Sequence, residues 1–305
     1  MDINSSTKRH KNDNLKPQST KTKKMKLGEI YEILDSISPF SLQESWDNSG
    51  INLGNPHQEI DKIFLALEAD LDIALNLPPN SLLITHHPLI FYPIKCFDNS
   101  NYPAKILQML IQKNCALIAL HTNFDKTHLN AYFAKEILGF ADIVACNDNL
   151  IQTSKIAQTP IATLARQIKS KLDLKYIAYS APKQDFIVSQ VFVVCGSGAS
   201  FWRQISQGEI IPHINPPISA FAESRTNSHK ESKQSNTGGI CLITGDVKYH
   251  DAMSAKCANV AIIDVTHYAS ERHFATILHN NLQNTRLNCI MLENFPPFFY
   301  LTKDL

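Results

Sequence analysis

Apolar positions along the chain recur in two rhythms. Leu27, Ile30, Tyr31, Ile33, Leu34 and Ile37 follow the spacing of one helix face, and Pro39 ends that helix. From Ile63 onward, short unbroken apolar runs alternate with helix-spaced stretches. Ile63–Leu67, Ser81–Thr85 and Cys115–Leu120 read as strands, and Asp70–Leu77, Ala104–Lys113 and Leu129–Leu138 as helices. Pro78-Pro79 breaks the first of these helices and Gly139 stops the last. Strands that are apolar throughout need cover on both faces, so the pattern predicts an α/β fold with mixed sheets flanked by helices.

A second unit starts near residue 151. Ile161–Leu172 reads as an amphipathic helix, and Phe186–Cys195 as a strand ending in Gly196-Ser197-Gly198. Residues 222–237 are rich in Ser, Asn, Lys, His and Glu with no apolar period, which predicts a solvated insertion. Order resumes at Gly239 with the strand Ile240–Ile243, a helix through Met253–Lys256, the strand Val260–Val265, a helix over His267–Leu282 and a last strand Leu287–Leu292. The expected organisation is a tail (1–24), a first α/β domain (25–140), a second α/β unit (141–238) and a C-terminal segment (239–305) that brings the last site residues to the first domain.

Composition sharpens this. With 44% apolar and 19% charged residues in 305, the chain is neither disordered nor fibrous. No apolar run approaches the roughly 18 residues of a membrane span, and the N-terminus has no apolar signal segment. The cysteines number seven, are widely spaced and form no C-x-x-C pair, which predicts reduced thiols and a cytoplasmic location. The net charge of +1 hides an asymmetry. Residues 1–24 carry seven Lys or Arg against two acids, a net +5, so the rest stands at −4. The tail has almost no large apolar side chain and is expected to be disordered. A nucleic-acid-binding reading would rest on that tail alone, and such blocks of Lys are usually only solvated.

The chemistry gathers where apolar strands end. Thr85-His86-His87, His121-Thr122-Asn123-Phe124-Asp125, and Asp264-Val265-Thr266-His267 with Glu271 all follow such strands. Ligands of open α/β sheets bind at strand carboxyl ends. His267 and Glu271 are four apart and share one face if a helix begins there. His86 and His87 are adjacent and in a regular strand point to opposite faces, with Pro88 keeping His87 extended. They cannot easily share one small ion, but they could flank a pocket holding two. With Asp125 the set is three His and two carboxylates, too many for one tetrahedral zinc with an open position. It suits a dinuclear site with one carboxylate bridging ions about 3.5–4 Å apart. Two divalent ions outweigh two carboxylates, which favours a bound hydroxide and an anionic substrate. The donors fit Zn, Mn, Fe, Co or Ni alike.

Each residue also has a plainer reading. A lone His at a strand end is more often structural, and it is the ordered set of three motifs that points to metal. His121, four before Asp125, is either an acid–base residue or a structural one. His250 either orients substrate or caps a turn. Asp47-Asn48 lines the cavity or, the favoured reading, makes an Asx turn. Gly196-Ser197-Gly198 exposes N–H groups to a phosphate or, again favoured, makes a tight turn. His10, His57, His213, His229 and His279 are assigned to surface or loops.

Five segments together resemble a known family: Trp46-Asp47-Asn48-Ser49-Gly50, Ile84–Pro88, His121–Asp125, Thr244–Ala252 and Asp264–Glu271. They are similar to the dinuclear metal-centre proteins commonly labelled GTP cyclohydrolase 1 type 2 homologues, over about residues 25–300. The resemblance implies two similar α/β domains, a toroidal homohexamer, and a two-metal site facing a central cavity. It implies His86, His87, Asp125, His267 and Glu271 as ligands, with Glu271 bridging. Phe124 stands where the family has Leu, and Asp246 where it has Glu. The 222–237 loop and the tail have no counterpart. Family chains begin near the equivalent of Met25, so either Met25 is the natural start or the tail is a lineage-specific extension, which the intact mass of the native protein decides. Fold does not fix substrate, and nothing in the sequence identifies a guanine pocket. Two functions follow: a metal-dependent hydrolase of a phosphorylated or nucleotide-like anion, with His121 moving a proton, or a non-catalytic metal-binding oligomer for metal handling or protein interaction.

Overall fold

In the computed structural model, which describes residues 24–210 and 238–298, the unbroken apolar runs become the inner strands of two mixed sheets. The tail up to residue 23, the 222–237 segment, His10, His213 and His229 lie outside the described residues. The first half contains β1 (Met25–Lys26), α1 (Leu27–Ile37), β2 (Gly50–Leu53), β3 (Glu59–Ile60), β4 (Lys62–Ala66), α2 (Leu71–Asn76), β5 (Ser81–Thr85), α3 (Ala104–Gln112) and β6 (Ala116–Ala119). A helical stretch follows, formed by α4 (Thr122–Phe124), a π-turn at Asp125–Leu129, α5 (Asn130–Tyr132) and a second π-turn at Phe133–Ile137. Next come β7 (Val144–Cys146), β8 (Ile151–Pro160), α6 (Ile161–Lys171), β9 (Ala178–Ser180), β10 (Ile187–Val193) and α7 (Trp202–Gln207). The last elements are β11 (Gly239–Thr244), α8 (Tyr249–Cys257), β12 (Val260–Asp264), α9 (His267–Glu271), α10 (Phe274–Leu282) and β13 (Cys289–Met291).

One sheet has the order β13-β4-β5-β6-β2, parallel except for the antiparallel edge strand β2. The other has the order β7-β8-β10-β11-β12-β9, with a parallel centre β10-β11-β12 and antiparallel neighbours on both sides. Side-chain alternation sets the layers. Leu65, Leu82, Ile84 and Ile118 join Val191, Val193, Ile243 and Ile263 in one central core, filled by Phe124, Phe133 and Phe274 from the helices between the sheets. The alternate residues Phe64, Leu83 and Leu117 pack with α2 and α3 on the outer face. Phe192, Leu242 and Ile262 pack on the other outer side with Ile205 of α7 and Ala255 of α8. The three phenylalanines are fully buried, and burying such a side chain stabilises by about 1.5–3 kcal/mol. The α/β expectation with helices on both faces of each sheet is met. Among the described residues no helix is long and apolar enough to cross a membrane, and all seven cysteines are free.

Three elements differ from the pattern. The helix expected from Leu129 begins at Thr122, because Asp47 accepts hydrogen bonds from both the Thr122 N–H and its hydroxyl. Its polar first turn is invisible to hydrophobic periodicity: buried Asn123 is held by Ser38 rather than by apolar contact. The helix expected over His267–Leu282 is two helices, interrupted at Arg272-His273. Strand β8 has no apolar signature because Gln152, Thr153 and Ser154 are buried polar residues, satisfied by Asn149, Val191 and Ala141 carbonyls. His279 is half-buried on α10 rather than in a loop.

Candidate metal centre

The carboxyl ends of β5, β6 and β12 converge, and all six residues singled out by the strand-end pattern come together there. His86 and His87 follow β5, His121 follows β6, and His267 opens α9 just after β12. Asp125 enters from the helical stretch and Glu271 from the far end of α9. The expectation that His86 and His87 point to opposite faces is corrected. The strand stops at Thr85, and the Leu67 carbonyl accepts from both His86 N and His87 N at 3.2 and 3.3 Å. This bend lets both rings turn to the same side, their centroids 4.8 Å apart, with His87 lining the cavity and His86 buried beneath it.

Each imidazole is held by its Nδ1. That of His86 donates to the Leu120 carbonyl (2.8 Å), His87 to Glu68 (2.5 Å), His121 to Asp47 (2.8 Å) and His267 to Asp246 (2.6 Å). An acceptor at Nδ1 fixes the proton there and leaves Nε2 as the free donor atom of the ring, the usual preparation of a metal-binding histidine. The Nε2 of His86 lies 3.5 Å from Asp125 and 3.8 Å from Glu271. Glu271 Oε2 lies 3.0 Å from His87 Nε2 and 2.9 Å from His267 Nε2, and those two nitrogens are 3.1 Å apart. His86 Nε2, Asp125 Oδ1 and Glu271 Oε2 are buried without a well-aligned hydrogen bond among the described residues. Buried acceptors facing one another repel unless a cation or protons lie between them.

The donors form two groups that share Glu271: His86, Asp125 and Glu271, and His87, His267 and Glu271, each with ligand atoms within 4.8 Å of one another. A third group is His86, His87 and His121. Without a cation, burial pushes the Asp125 carboxyl up to about 7, against the pull of His121. Burial also opposes charge on Glu271, but His87 and His267 outweigh it and hold this carboxyl well below its usual range. Burial lowers His87 and His267, yet the Glu271 carboxylate outweighs it, holding His87 well above the usual imidazole range and His267 at about 9.

The backbone is shaped around Glu271 and His267. Gly196 has φ +62°, and a Cβ there would lie 2.2 Å from Glu271 Oε1. Thr266 has φ +66° and ψ 151°, a conformation costing about 1–3 kcal/mol outside glycine, held by its N–H to Asp264 and its hydroxyl capping α9 at Ala269. Gly196→Ala is expected to displace the Glu271 carboxylate and lower metal content. The left-handed backbone adds a stability loss of about 1–2 kcal/mol. Metal analysis and a thermal melt read both effects.

Other sequence readings resolve at the same place. The N–H groups of Gly196 and Gly198 bond to the Ser270 and Thr244 hydroxyls, so this segment is a turn. Asp47 does not make the expected Asx turn, because Ser49 N bonds to Gln43; it accepts from Asn48 N and the Ser49 hydroxyl and also holds His121. His250 is exposed on α8 and does not line the cavity. Sequence reasoning missed Glu68, which orients His87. The signal was there, because Glu68 also stands just past the end of an apolar strand, β4. It also missed Asn294, which ties the C-terminal segment to Leu67, Glu68 and Asp70. The cavity over the cluster measures about 740 Å³.

Comparison with known proteins agrees with this fold. The model of the family described as Duf34/NIF3 (NGG1p interacting factor 3) matches residues 25–210 and 232–296. A Helicobacter pylori protein named GTP cyclohydrolase 1 type 2 is 41% identical over 267 residues, covering 88% of this chain and 95% of its own. A Campylobacter jejuni protein named GTP cyclohydrolase 1 type 2 homolog is 35% identical over 277 residues, covering 90% of this chain and 100% of its own. Among solved structures, the Staphylococcus aureus hypothetical protein SA1388 has a TM-score of 0.70 at 23% identity, over 91% of this chain and 99% of that one. Reduced HcgD from Methanocaldococcus jannaschii has a TM-score of 0.66 at 22% identity, over 88% and 98%.

Proposed function

We propose, from the premise that the chain belongs to the Duf34/NIF3 family, that it binds two divalent metal ions and hydrolyses a phosphorylated or nucleotide-like anion. The observation that carries this reading is the single buried carboxylate of Glu271 shared between two groups of donors, with its own Oε2, His86 Nε2 and Asp125 Oδ1 left without hydrogen bonds among the described residues. His86 and Asp125 would hold one ion, His87 and His267 the other, and Glu271 both. When bound, such a pair supplies Lewis acidity and water activated near neutral pH. The names of the H. pylori and C. jejuni relatives support a nucleotide-like substrate.

The protein's own groups do the rest. Burial pushes Asp47 up, but hydrogen bonds from His121 and Thr122 outweigh it and hold this carboxyl well below the usual carboxylate range. It therefore stays ionised and keeps the His121 proton on Nδ1. The Nε2 of His121 then takes a proton at the cavity and returns it to the leaving group. Glu68 and Asp246 hold His87 and His267 in the same manner. On the strength of the sequence resemblance, the same reading includes a cytoplasmic homohexamer, which light scattering tests.

His86→Ala is expected to lose metal and turnover together, by metal analysis and a panel of phosphoesters and nucleotides with each added metal. Turnover that survives in a metal-free variant would sink the hydrolase reading. Stoichiometric metal with no turnover across the panel would favour the non-catalytic oligomer instead.

A further inference from the structure

A large apolar side chain left in water beside a site is more informative than a buried one. Trp46 is 57% exposed, yet the residues on either side of it are held by side-chain contacts. The next residue, Asp47, accepts from His121, Thr122, Ser49 and Asn48. Glu44 is paired with Lys126, and Gln43 holds Ser49 N. The indole ring lies 6.0 Å from the Phe91 ring and 6.2 Å, edge-on, from the His121 ring. All three rings line the 740 Å³ cavity over the metal-competent cluster. Its volume lies within the roughly 300–1,000 Å³ of small-molecule pockets.

We infer that Trp46, backed by Phe91, is a rigid stacking platform for a fused aromatic heterocycle of the size of a purine, carried by the substrate. The inference rests on the proposed metal site and narrows its substrate. Simple sugar phosphates and polyphosphates have nothing to place on the platform. Because Asp47 fixes both the Trp46 loop and His121, a ring stacked on the indole is held in register with the group that moves the proton. The concavity favours a small ligand as occupant over a second copy of the chain.

The test compares guanosine monophosphate with ribose 5-phosphate, which shares its sugar and phosphate but lacks the base. Binding to the full-length protein is measured by calorimetry alongside metal content. Wild type is expected to bind guanosine monophosphate more tightly than ribose 5-phosphate. Trp46→Ala should weaken it about 10- to 100-fold and Trp46→Phe no more than about threefold, the range for base–aromatic stacking. Ribose 5-phosphate affinity and metal content should not change. The inference is overturned if wild type binds the two probes equally, or if Trp46→Ala leaves guanosine monophosphate affinity intact. It is also overturned if the variant changes particle size in light scattering without a base-dependent loss. Absence of metal in wild type would refute the metal reading alone, since the comparison of the two probes needs no turnover.

Discussion

Glu271→Gln is expected to empty both metal positions, whereas His267→Ala is expected to empty one and leave the other. The contrast follows from the sharing of one carboxylate. Of the two groups that contain Glu271, one is completed by His87 and His267 and the other by His86 and Asp125. Glutamine keeps the volume and one oxygen of Glu271 but removes the charge that offsets two dications in a buried cavity, and it adds two N–H donors that face imidazole lone pairs or repel a cation. Metal analysis after equilibration with a single divalent ion reads this directly. One ion retained by Glu271→Gln would show that the two groups are independent. Loss of both ions from His267→Ala would show that a single centre uses all five residues.

Much of this cluster was legible because its members stand at fixed places in the fold's grammar. His86, His121 and His267 each follow an apolar strand, and strand ends are where an α/β sheet exposes polar chemistry. The four-residue step from His267 to Glu271 needed only helix geometry. What stayed hidden was polar. Gln152, Thr153 and Ser154 build a buried strand through side-chain hydrogen bonds, and Thr122-Asn123 starts a helix through Asp47 and Ser38. Neither contributes to an apolar period. The facing of His86 and His87 was misjudged for a related reason: the strand ends at Thr85 as read, but the two residues do not continue its alternation, because both of their N–H groups bond to the Leu67 carbonyl just past the neighbouring strand β4. Long-range contacts of this kind have no signature in local spacing.

Removing divalent ions with a chelator is expected to lower the melting temperature by at least about 8 °C, restored on adding metal back. At a free ion concentration about 1,000-fold above its dissociation constant, one bound ion stabilises by about 4 kcal/mol. In a chain of this size each kcal/mol corresponds to roughly 2–4 °C. The pH dependence has a definite sign. Without a cation, His267 is raised to about 9, so the stability it gives the metal-free fold is complete below the unfolded value near 6.5 and is lost as pH rises through 9. Asp125, raised by burial to about 7, acts in the same sense at lower pH: its neutral form is favoured, and its contribution to the metal-free fold falls from the ordinary carboxylate value of 3.8 upward and is gone once pH exceeds about 7. Protons thus stand in for the cations at low pH and must leave when metal enters. The gap between metal-loaded and chelated melting temperatures should therefore widen from pH 6.5 to pH 9. Melts in both forms across that range test it. A gap that stays constant or narrows would mean that the ions bind away from this cluster.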